Sequence, residues 1–65
     1  MRLVEFKSGK DKVIYINPDY VESVEKILDD LIFINMAVPD GNGDNIVHKV
    51  FGSLDEVVQK LRNAR

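Results

Sequence analysis

The chain has no cysteine and no tryptophan, and only one histidine, two prolines and four glycines among its 65 residues. Without cysteine there is neither a disulfide framework nor a thiolate metal site, so a reducing, cytoplasmic compartment is the expectation. Oligomerisation is then the remaining staple for so small a domain. Long apolar runs are also missing. The start, Met1-Arg2-Leu3-Val4-Glu5, sets charges on both sides of two apolar residues and lacks the apolar core of a signal peptide. No run approaches the ~20 residues that span a bilayer, so no membrane span is expected. The longest, residues 31–37, is interrupted by Asn35 and reads as a strand.

What is present is a 45% hydrophobic chain that can form one domain, residues 1–65, around one core. A domain of this length buries only about 60% of the surface its unfolded chain exposes. Net charge is -2, and its distribution says more than its sum. Arg2, Lys7, Lys10 and Lys12 outnumber Glu5 and Asp11 at the start. In the middle, Asp19, Glu22, Glu25, Asp29, Asp30, Asp40 and Asp44 face Lys26 alone, and Lys49, Lys60, Arg62 and Arg65 outnumber Asp55 and Glu56 at the end. An acidic middle between basic ends suits opposite charges meeting across neighbouring strands, or an acidic face for a basic partner or a second copy. Nucleic acid is disfavoured as a partner, because non-specific binding needs clustered Lys and Arg.

Residues 3–7 and 12–16 are β-branched and aromatic runs around Ser8-Gly9-Lys10-Asp11, the pattern of a hairpin. Val13-Ile14-Tyr15-Ile16 is apolar on both faces, which predicts a strand near the sheet centre or one with a face at an interface. Asn17-Pro18-Asp19-Tyr20 breaks the ladder, Pro18 having no N–H and Asp19 being able to bond nearby backbone, so a single turn of 3₁₀ type is expected. In residues 21–27 the spacing of Val21, Val24 and Ile27 fits helix as well as strand. Two valines in a short segment between turn signals favour strand; in the helical alternative Asp19 is the N-cap and Glu22 closes a capping box. A turn at Leu28-Asp29-Asp30, a strand over residues 31–38, a long hairpin loop over 39–45 and a strand over 46–51 follow. Ser53 then caps a helix, with Glu56 completing the capping box and Leu54, Val57, Val58 and Leu61 forming its apolar stripe. The fold expected is α+β: a small antiparallel sheet of four to five strands followed by one C-terminal amphipathic helix.

Chemistry-bearing motifs are sparse. Asp40-Gly41-Asn42-Gly43-Asp44 copies the opening of an EF-hand loop, yet the sixth position is Asn45 instead of glycine and the twelfth is Phe51 instead of glutamate. His48 has no sequence partner that would orient it as a base. The carboxylates Glu22, Glu25, Asp29 and Asp30 lack a cleft, and no phosphate-binding glycine pattern exists. No catalytic residue, metal site or cofactor is therefore assigned, and the chain is not read as an enzyme. Phe6, Phe33 and Phe51 lie within apolar runs, as core residues do. Tyr15 and Tyr20, with Met36, suit an interface, since tyrosine and methionine are enriched there.

The segments Ile16-Asn17-Pro18-Asp19-Tyr20-Val21, Val24-Glu25, Asp30-Leu31-Ile32-Phe33-Ile34 and Ser53-Leu54-Asp55-Glu56-Val57-Val58 with Leu61 resemble FlbD-like proteins, short bacterial polypeptides often associated with flagella or swarming. The chain differs from their pattern in the loop at 39–45 and in Gly52. The resemblance implies a small accessory protein without enzymatic activity, and it supplies no catalytic residues. The leading expectation is a bacterial or phage interaction module, self-associating or binding one protein through its sheet, with Tyr15, Tyr20, Phe33 and Met36 and the acidic Glu22 and Glu25 as its surface. The alternative is a nucleic-acid-linked regulator using Lys7, Lys10, Lys12, Arg62 and Arg65.

Overall fold

A computed structural model describes residues 2–64 of the chain. It contains β1 (Val4–Gly9), β2 (Lys12–Ile16), a 3₁₀ turn (Pro18–Tyr20), β3 (Val21–Leu28), β4 (Leu31–Pro39), β5 (Asn45–Phe51) and α1 (Leu54–Asn63). The five strands form two antiparallel sheets, a β1–β2 hairpin and a three-stranded β3–β4–β5 meander. β1 lies alongside β5 without a ladder joining them. The expected α+β class and terminal helix are present, with the strands divided between two sheets.

The first hairpin is tighter than its sequence suggests. Lys7 faces Val13 and Gly9 faces Lys12, so the reversal occupies residues 10–11 and Ser8 is the extra residue of a β-bulge. After β2, Asn17 makes the turn that Asp19 was expected to make. Its side-chain Oδ1 accepts from the Asp19 N–H at 3.0 Å, and its carbonyl accepts from the Tyr20 N–H at 3.1 Å.

The ambiguous segment 21–27 is a strand, and the register shows why its apolar spacing imitates a helix. Val21 faces Met36 and Ser23 faces Asn35, so two steps along β3 match one along β4. Glu22 is the bulged residue. The insertion returns Val24, opposite Ile34, to the same face as Val21, because facing residues of an antiparallel pair share a face. A second shift between Lys26 and Leu28 makes Ile27 an extra residue too, and Leu28 then faces Leu31 across residues 29–30.

The β4–β5 loop is shorter than expected, because β4 continues to Pro39 and β5 begins at Asn45. Residues 40–44 are closed by the Asp40 N–H donating to the Asp44 carbonyl at 2.8 Å. The Asp40 side chain also accepts from the Asn42 N–H at 2.8 Å. Gly52 links β5 to α1 with φ of +141°, a backbone region that side-chain-bearing residues rarely adopt. Its N–H donates to the Asp30 carbonyl at 3.0 Å, which ties the sheet-to-helix corner to the β3–β4 turn.

Ser53 caps α1 as its sequence predicts, its Oγ accepting from the Glu56 N–H at 3.2 Å; the expected capping box is only half formed, because the Glu56 carboxylate accepts from the Ser53 hydroxyl at 3.3 Å in place of the Ser53 N–H. Asp55 and Glu56 lie in its first turn and Lys60 and Arg62 in its last, matching the helix dipole. Val57 and Leu61 are buried against Val4, Phe6, Ile16, Ile32, Ile34, Met36 and Val50, the single core. Each such side chain contributes roughly 1.5–3 kcal/mol on burial. Lys60 fixes the helix to the hairpin, its ammonium lying 4.8 Å from the centre of the Phe6 ring and donating to the Glu5 carbonyl. Among the described residues no polar or charged side chain is buried.

Candidate interaction surface

The β3–β5 meander has two faces. Toward the core it presents Val21 and Val24 from β3, Ile32, Ile34 and Met36 from β4, and Val50 from β5. The outer face follows from the same register in three rows. Leu28, Leu31 and Phe51 form the first; Glu25, Phe33 and Lys49 the second; Ser23, Asn35 and Val47 the third. Among the described residues no helix or strand covers this side: Leu28, Phe51 and Val47 are 59%, 52% and 47% exposed, while Leu31 and Phe33 are half-buried between their neighbours.

A polar network runs across this face from β3 to β5 at its Ser23–Asn35–Val47 end. Asn35 Nδ2 donates to Ser23 Oγ at 2.9 Å and to Glu25 Oε1 at 2.7 Å. Asn45 Nδ2 donates to Glu22 Oε2 at 3.2 Å. With Gly43, Asp44 and Val47 these residues line a shallow open depression. On the other sheet, Val13 and Tyr15 of β2 point outward opposite Lys7 and Glu5, and the Tyr15 hydroxyl donates to Glu5 Oε1 at 3.3 Å.

The six residues expected to form one surface are therefore distributed. Glu22, Glu25 and Phe33 come together on the outer face of the meander. Tyr15 stands exposed on the hairpin, and Tyr20 is exposed at the 3₁₀ turn. Met36 does not belong to the surface; it is 7% exposed and part of the core, because it lies two residues from Ile34 and shares its face. Phe51, expected in the core, is instead on the outer face, since its neighbour Val50 takes the inward position. β2 is not a central strand either: it pairs with β1 alone, and its outward side is uncovered. Leu28, Leu31, Asn35, Val47 and Lys49 were missed, although their parity relative to the inward residues of β4 and β5 would have identified most of them.

The basic residues do not gather. Lys7, Lys10 and Lys12 lie toward the tip of the hairpin, whereas Arg62 flanks a small apolar groove with Pro18, Val21, Val24, Val58 and Leu61, beyond the opposite end. Arg65 lies outside the described residues. His48 sits opposite Ile34 on the inward side of β5, half-buried. Among the described residues no group of three His, Asp or Glu side chains could hold a metal ion, and no helix is long and apolar enough to cross a membrane.

The class so defined is a small α+β domain with two antiparallel sheets and a C-terminal helix, with one sheet face exposed among the described residues. Searches with protein-family models, curated protein sequences and solved structures find no match to the chain.

Proposed function

We propose that this chain is a small non-enzymatic interaction module that docks protein through the outer face of the β3–β5 sheet and associates with itself. The observation that carries the reading is the apolar strip of Leu28, Leu31, Phe33, Val47 and Phe51 on a face that the helix does not cover. Aromatic and aliphatic side chains ringed by polar ones are the usual make-up of a binding patch. The Asn35–Ser23–Glu25 bonds supply the polar rim, held in place before any partner arrives. The likeness to FlbD-like proteins supports the same class, an accessory protein acting in the bacterial cytoplasm.

The test is molar mass by light scattering behind a sizing column over a wide range of concentration. Twice the chain mass at the upper end is expected. Phe33→Ser and Phe51→Ser should each shift the equilibrium to monomer while leaving the far-ultraviolet circular dichroism unchanged. A wild-type chain that stays monomeric throughout would overturn self-association.

A further inference from the structure

The outer face carries an order of charges that selects one way of meeting a second copy; this inference rests on the docking reading above. Glu25, Phe33 and Lys49 stand in one row across β3, β4 and β5, with an acid on one side of the phenylalanine and a base on the other. Two inter-strand spacings, about 9–10 Å, separate the charged residues, Phe33 stands between them, and they form no ion pair with each other. Among the described residues the one ion pair joins Lys26 to Asp29, so Lys49 makes none. Glu25 is positioned over the face by its bond from Asn35.

Two identical sheets packed face to face are related by a two-fold axis lying in the plane between them. Two such axes can pass over Phe33. An axis running across the strands sets Glu25 against the same residue of the second copy, and Lys49 likewise, opposing like charges. An axis running along β4 exchanges the two sides of the sheet. It places Glu25 of each copy over Lys49 of the other, stacks the two Phe33 rings, and sets Phe51 over Leu28 in the next row. The apolar and the charged rows are satisfied together only by this second axis.

We infer that the occupant of the outer face is a second copy of this chain, docked about a two-fold axis parallel to β4, with the Glu25–Lys49 contact made twice. Sheets packed this way keep their strands aligned to within about 30°. The broadest face of a molecule measuring 28 × 25 × 21 Å is comparable in size with the ~800 Å² per partner of a standard interface.

The experiment compares wild type, Glu25→Lys, Lys49→Glu, an equimolar mixture of those two variants, and the double variant, all by light scattering at low salt. Each single variant should dimerise more weakly by about tenfold or more, because it opposes like charges twice. The mixture should recover dimer mass, since every charged contact in the mixed pair is again between opposite signs, and so should the double variant. Glu25→Gln and Lys49→Gln remove the charge with little change of shape and should weaken dimerisation with a reduced salt dependence; they serve if a charge reversal fails to fold. A wild-type dimer broken by Phe33→Ser, with no recovery in the mixture, would overturn the two-fold arrangement and leave the docking face standing. A monomeric wild type would overturn both.

Discussion

The two faces of β4 are built from nearly the same residue types and meet opposite fates. Ile32 and Ile34 are fully buried beneath the helix and hairpin, while Leu31 and Phe33, one residue out of phase, look outward with only their sheet neighbours for cover. Hydrophobicity does not distinguish them. Cover does: a ten-residue helix and a two-stranded hairpin shield one side of the three-stranded sheet, and among the described residues no element packs on the other. An apolar strand in so small a domain therefore has two surfaces of different fate, one inside its own core and one left exposed.

Breaking the buried side should give the largest effect. Ile34→Ala is expected to cost about 2–5 kcal/mol, a large share of the ~5–15 kcal/mol that folded domains possess, and thermal unfolding will show it. Gly52→Ala should come next, at about 1–3 kcal/mol for holding a side-chain-bearing residue in a backbone region that favours glycine. An added Cβ would meet only Glu56 Oε2, at 3.8 Å, so that cost is conformational and not a clash. Ser53→Ala should remove ~1 kcal/mol with the cap; an unchanged melting curve would count against the hydroxyl as the start of the helix. The outer side sharpens the contrast. Phe33→Ala should cost on the order of 1 kcal/mol or less in a chain kept monomeric, the worth of a cross-strand pair, and yet reduce self-association more than any of the others.

Local chemistry made much of this fold legible. Ser53 and Glu56 announce the helix, Asn17-Pro18 announces the break after β2, and the β-branched runs announce the strands, because caps, missing donors and side-chain shape act within a few residues. The bulges were not legible. Glu22 and Ile27 carry no turn residue to mark them as extra, and only the pairing with β4 shows that the three-residue spacing of Val21 and Val24 belongs to a kinked strand. The same limit explains Met36 and Phe51. Methionine in a strand is equally suited to a core and an interface, and phenylalanine at a strand end reads as core until register assigns its side.

The sequence by itself determined the strand–helix order, the capping of α1 and the absence of cysteine ligands and disulfides, since these rest on residue identity and near neighbours. Only the tertiary structure decided which side of each strand became core. That choice depends on where α1 and the β1–β2 hairpin come to rest, and on the bulges that shift β3 by one residue against β4. Glu25, Phe33 and Lys49, distant along the chain, form one row because long-range pairing set the register, and no local preference encodes it.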